Sequence, residues 1–168
     1  DEQYQAAFFN VYQDELRQTP LWPCVGNHDM DSAYRYLFFT EKPVRDDGHM
    51  MGAKYYYSFE QGDSLFVVID PWKSWWEFNT DPAHLPWQVQ KRWIEHVLAV
   101  NKKHWSIVIC PFPVYCDGNY DSDTNEPLAI LRRELVPIFD RYGVDLVVSG
   151  HDHTYQRTYL ISGHLGNR

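Results

Sequence analysis

The sequence predicts an α/β domain with a largely buried sheet. Three observations carry that expectation. Strand-length apolar stretches alternate with longer amphipathic ones in the second half of the chain. The strand-length stretches are continuously apolar, as in a sheet covered on both faces. Turn residues separate them. The length of 168 residues suits one domain, and 44% apolar with 17% aromatic residues is enough for a core, which excludes intrinsic disorder.

The elements run in this order along the chain. Residues 3–17 read as a helix with Tyr4, Phe8, Val11 and Tyr12 on one face. Pro20 and Pro23 bracket a short strand, Leu21 to Val25. Asp31 or Ser32 caps a short helix over 31–39. Tyr55 to Phe59 and Ser64 to Ile69 read as strands joined by the turn Gln61-Gly62-Asp63. A loop crowded with Trp and Pro runs from Pro71 to Pro86. Residues 87–102 form an amphipathic helix with Gln90, Trp93, Ile94, Val97, Leu98 and Asn101 on one face. Trp105 to Cys110 is an apolar strand, and 111–125 is a loop containing Gly118. Residues 127–142 form a second amphipathic helix. Pro127 suits its first turn, Pro137 kinks it and Gly143 closes it. Val144 to Val148 reads as a buried strand, and a last strand covers Tyr155 to Ile161.

Composition narrows the function classes. The net charge is −8, from 15 basic and 23 acidic residues, so nucleic acid is not expected as a partner unless bound metal supplies positive charge. No apolar run approaches the roughly 18 residues of a membrane-spanning helix, so no membrane partner is expected either. The cysteines are Cys24, Cys110 and Cys116, an odd number without a C-x-x-C pair. A Cys110–Cys116 bridge and plain burial are both open to them. The first residues, Asp1-Glu2-Gln3, carry no targeting pattern, which fits a mature form and a fragment alike.

Two loops carry chemistry. Gly26-Asn27-His28-Asp29 comes directly after the stretch ending at Val25, and Gly150-His151-Asp152-His153 directly after the one ending at Ser149. Each opens with Gly, which lets the backbone turn sharply. His151 and His153, two residues apart in extended chain, leave the same face and suit one metal ion or two neighbouring ions. A polar loop with two unrelated histidines is the plainer reading. Asn27 offers an amide oxygen to a cation, and His28 beside it is able to exchange a proton. An ordinary turn with Asn in a left-handed position is the plainer reading there.

Together the two loops resemble signature blocks of the metallophosphoesterases, the calcineurin-like superfamily of dinuclear metal phosphatases. They occur in that family's order. Tyr55 to Phe59 and then Leu65 to Asp70 resemble the strand pair between the blocks, and Leu85-Pro86-Trp87 through Ile94 resembles the helix before the fourth. Gly150 to Arg157 is most similar to the purple acid phosphatase branch. The resemblance implies an α/β sandwich of two mixed β-sheets flanked by helices, with the N-terminal part missing. It makes residues 1–168 a single partial domain, the C-terminal portion of a metallophosphoesterase. It implies Asn27 as a ligand of one metal and a contact to substrate phosphate. His28 becomes the acid that protonates the leaving group, or a stabiliser of transition-state charge. His151 becomes a ligand of the same metal as Asn27, and His153 a ligand of the other. The cofactors implied are two divalent or trivalent ions (Fe, Zn or Mn), and the partner is a small phosphorylated substrate. A secreted or extracytoplasmic location goes with the resemblance.

The sequence departs from the family in two places. The opening Asp-containing blocks, which would supply two acidic ligands, are absent from the 25 residues before Gly26. In Val108-Ile109-Cys110-Pro111-Phe112-Pro113-Val114-Tyr115, Pro111 stands where the fourth block carries a metal-binding His. Proline has no donor atom. Cys110 beside it offers a thiolate or, more simply, a core side chain. Two other readings therefore accompany hydrolysis of phosphate monoesters or diesters. One is a non-catalytic module that lost a ligand at Pro111, and the other is a mononuclear metal hydrolase using His153 and upstream ligands. The remaining histidines carry no assigned chemistry. His96 and His104 are expected to be exposed or capping, His84 and His164 sit in loops, and His49 is placed in a polar loop that overhangs a site or stands apart from it. Trp72, Trp75 and Trp76 either pack a satellite core or wall a cleft.

Overall fold

The computed structural model describes residues 2–29, 38, 55–71 and 85–166. The expected helix over 31–39 (Phe38 apart), the Trp cluster at 72, 75 and 76, His49 and His84 lie outside the described residues. The chain orders as α1 (Glu2–Tyr4), a π-turn (Gln5–Phe9), α2 (Gln13–Leu16), β1 (Tyr57–Gln61), β2 (Ser64–Val68), α3 (Leu85–Ala99), β3 (Trp105–Cys110), α4 (Glu126–Tyr142) and β4 (Leu146–Ser149). The four strands form one mixed sheet in the order β1-β2-β3-β4. The α/β class therefore stands.

The sheet starts from a local hairpin. β1 pairs antiparallel with β2, and Gly62 turns between them with φ 58°. β2, β3 and β4 then run parallel, joined through α3 and α4. Parallel strands need such crossovers, and a helix supplies one while covering a sheet face. Leu65, Val67, Val108 and Cys110 face the helices and share one core with Trp87, Ile94, Leu98, Leu128, Leu131 and Leu135. On the opposite face Trp22 lies flat on Phe59, and Phe59 on Phe66, with ring centroids 4.0 and 4.8 Å apart.

Pro127 and Gly143 bound α4 as expected, and a side-chain cap not read from the sequence joins them. Asn125 caps α4 by accepting from the Leu128 N–H at 3.2 Å, and Pro127 occupies the first turn. Gly143 ends it in the left-handed region at φ 66°. The Lys91 ammonium and Glu134 carboxylate pair across α3 and α4. Buried Gln90 on α3 holds the chain after β2: its Oε1 accepts from the Asp70 N–H at 2.8 Å, and its Nε2 donates to the Asp70 carbonyl at 2.7 Å. Buried Arg132 on α4 anchors the loop after β3. It donates to Ser122 Oγ, to the Ser122 carbonyl and to Asp123 Oδ1, the last at 2.7 Å.

Several expectations are corrected. The N-terminal helix over 3–17 is broken into α1, the π-turn and α2, and Val11 and Tyr12 are exposed. Part of its apolar stripe packs at a distance: Tyr4 and Phe8 meet Phe38, as does Phe9 beside them. Leu21 to Val25 forms no ladder among the described residues, and Pro23 within it lacks a donor. It is held instead by Tyr57 Oη donating to the Pro23 carbonyl at 2.7 Å. The strand Val144 to Val148 contracts to β4, whose Leu146 and Val148 are exposed at the sheet's edge. Residues 155–161 form no strand, and Tyr155, Tyr159 and Leu160 are exposed. Their apolar content suggests pairing, but among the described residues no strand lies beside them. Cys110 and Cys116 form no bridge, and all three cysteines are free thiols.

Two measurements check this packing. Gln90→Leu removes both hydrogen bonds to Asp70, so urea unfolding should show a loss of about 2 kcal/mol. Burial pushes the Cys24 thiol up to about 12 and raises Cys110 as well. Iodoacetamide at pH 8 should therefore leave Cys110 unmodified in the native protein and label it in urea.

Candidate metal and phosphate site

The C-terminal ends of β3 and β4 build the site. Their register sets Cys110 opposite Ser149, so the loops beginning at Pro111 and Gly150 leave the sheet side by side. Open α/β sheets place functional loops at such strand ends. The extended segment before Gly26 reaches the same end, where the Cys24 thiol contacts the Ile69 carbonyl at 4.0 Å. Asp29 then closes the Gly26 loop. Its Oδ2 accepts from the Gly26 N–H at 2.9 Å, and its Oδ1 accepts from Tyr4 Oη at 2.6 Å.

The two loops converge across 124 residues: Asn27 Oδ1 lies 3.2 Å from His151 Nδ1. Asn27, His28, His151 and His153 line one open cleft of about 250 Å³, together with Asn119 and Tyr120. Asn27 and His151 are half-buried, while His28 and His153 are exposed. All four residues singled out in the sequence thus border a common space.

His151 is held tightly. Its φ is 68°, the left-handed region that costs a non-glycine residue about 1–2 kcal/mol. Packing offsets that strain. Tyr120 lies flat on its imidazole at 4.7 Å and 12°, and Phe112 meets it edge-on at 4.6 Å. Burial lowers the His151 pKa; Asp152 opposes this, and His153 and His28 add to it. A neutral imidazole is the form that ligates metal.

The donor chemistry fits one edge of a metal-binding shell. Neighbouring ligands about 2.1 Å from one ion lie roughly 3–3.5 Å apart, and the Asn27–His151 pair meets that spacing. The shell is not completed here, because no three His, Cys, Asp or Glu residues group around an ion-sized site among the described residues. Pro111 is buried, and Cys110 points into the core. A Cys110 thiolate is therefore no substitute ligand. His96 and His104 are exposed, as expected. His164 is not without a partner: its ring lies over Tyr115 at 5.9 Å, and its carbonyl accepts from Tyr115 Oη at 2.6 Å.

Sequence reasoning misses Asn119, Tyr120 and Phe112. A signal exists, since residues 111–125 come after an apolar strand and contain Gly118. That pattern marks a loop without giving any residue in it a role.

Comparison with known proteins gives the family. The calcineurin-like phosphoesterase family matches residues 2–155, and the chain belongs to that family. The chain is 38% identical to an uncharacterized protein of Mycobacterium tuberculosis over 173 residues, covering 95% of this chain and 32% of that protein. It is 25% identical to purple acid phosphatase 17 of Arabidopsis thaliana over 166 residues, covering 93% of this chain and 48% of that protein. It is 26% identical to acid phosphatase type 7 of Homo sapiens over 171 residues, covering 92% and 36%. The chain thus spans less than half the length of each of these relatives.

The lowered His151 pKa sets a pH direction. A base whose folded pKa falls below the usual 6.5 contributes stability above pH 6.5, and loses it as pH falls towards the folded value. In metal-free protein, a side-chain nitrogen NMR titration should place the His151 midpoint below 6.5.

Proposed function

We propose that this chain carries part of a metal-dependent phosphoesterase site acting on phosphate monoesters or diesters. The observation that supports it best is the 3.2 Å approach of Asn27 Oδ1 to His151 Nδ1 in a cleft that His28 and His153 also line. In this reading Asn27 and His151 share one ion, His153 serves a second, and the ions are Fe, Zn or Mn. When bound, such a pair supplies positive charge for the phosphate and an acidified water for in-line attack.

The chain's own residues do the remaining work. The Asn27 amide orients the phosphate beside His151. His28, exposed at the cleft, holds a proton on its imidazole and delivers it to the leaving-group oxygen. Among the described residues, the lining contains no lysine or arginine. In an acidic protein, bound cations would supply the positive charge that draws phosphate in.

Pro111 favours a second reading. The resemblance gives that position to a ligand, and a buried proline there would leave one ion with fewer protein donors, which suits phosphate binding without turnover. Steady-state hydrolysis of p-nitrophenyl phosphate by the intact protein, with Mn or Zn added, separates the two. The catalytic reading expects Asn27→Ala and His151→Ala each to lower kcat/KM by about 100-fold or more. His28→Ala should lower kcat by about 100-fold at similar KM. Phosphate binding without turnover would establish the second reading, and metal-independent hydrolysis would overturn both.

A further inference from the structure

We propose that Asp152 and Gln156 are positioning residues: they latch the 117–121 loop so that Tyr120 lies flat against His151. Asp152 stands between two cleft histidines, yet it does not line the cleft. Its carboxylate turns to the neighbouring loop. Oδ1 accepts from the Asn119 N–H at 2.9 Å, and Oδ2 accepts from Gln156 Nε2 at 2.9 Å. Gln156 completes the latch through Oε1, which accepts from the Asp117 N–H at 2.9 Å. Its Nε2 also donates to Thr154 Oγ1 at 2.6 Å.

The loop is therefore pinned on both sides of Gly118. A Cβ at Gly118 would lie 2.5 Å from Asp152 Oδ2 and 2.6 Å from Gln156 Nε2. The two loops approach as closely as a residue without a side chain allows. Inside the pinned loop the Gly118 N–H donates to the Tyr120 carbonyl at 3.0 Å, and Asp117 bridges Asp121. Tyr120 is thus set by the latch, and its ring sets His151 at 4.7 Å. An imidazole carried on strained backbone at the edge of an open cleft needs such support to keep its direction. An imidazole displaced by about 1 Å can lower a rate by about 100-fold.

Exchange of donor and acceptor tests the latch. Asp152→Asn turns an amide donor, or a lost contact, toward the Gln156 amide. Gln156→Glu sets two carboxylates against each other. The double variant restores complementarity, because the introduced amide donates to the introduced carboxylate, which still accepts from Asp117. Zinc affinity by calorimetry and the His151 side-chain nitrogen spectrum of the metal-free protein are the readouts. Each single variant should weaken zinc about 10-fold and shift the His151 signals. The double variant should recover zinc affinity to within about 3-fold of the wild type. Single variants that match the wild type, or a folded double variant without recovery, overturn the proposal. If either single variant fails to fold, Tyr120→Leu decides: a loss of about 10-fold in zinc affinity supports the proposal, and none overturns it. The zinc arm rests on the phosphoesterase reading, whereas the metal-free spectrum does not. A wild type that binds no zinc would defeat that reading, and the His151 signals would still judge the latch.

Discussion

The register that sets Cys110 beside Ser149 is the constraint on which the cleft depends. Parallel pairing of β3 and β4 brings their C-terminal ends level, so the loops at Pro111 and Gly150 emerge as neighbours. A shift by one residue would turn Val108 and Cys110 out of the core and carry His151 away from Tyr120 and Phe112. The core and the site are thus enforced by the same alternation. Leu65, Val67, Val108 and Cys110 bury on one face, and that burial fixes where the loops beyond them begin.

Above the sheet, polar groups replace apolar packing as the organising force. Asp29 ties the Gly26 loop to Tyr4, Arg132 ties the Ser122 end of the next loop to α4, and Asp152 ties that loop's middle to the histidine turn. Each of these contacts joins a loop to a neighbouring segment that has its own anchorage. The left-handed backbone at His151 persists because three neighbours hold it: Asn27, Tyr120 and Phe112.

The second half of the fold was legible because its signals are local. Both long helices have apolar stripes, α4 has Pro127 in its first turn and a closing Gly, and β3 is apolar except at Ser106. The Gly62 turn likewise announced the hairpin. The first half was less legible. Tyr4, Phe8 and Tyr12 keep helical spacing, but α1 and α2 are short, and their packing depends on a distant Phe38. Residues 155–161 failed for the opposite reason: strand propensity there meets no partner strand among the described residues. The site histidines were visible from the spacing of two glycine-led loops. Tyr120 and Asn119 were not, because their role comes from the closeness of two loops rather than from any pattern along the chain.

The 124-residue span between Asn27 and His151 also orders the folding of the molecule. The parallel ladders close segments of about 40 residues, and the hairpin closes far less. Closing the longer span costs about 1 kcal/mol more chain entropy than either ladder. A formed sheet removes that difference, because Tyr57 on β1 already holds Pro23 across 34 residues, so the sheet and its two covering helices are expected to assemble first. The mouth of the molecule then becomes ordered on a scaffold already standing.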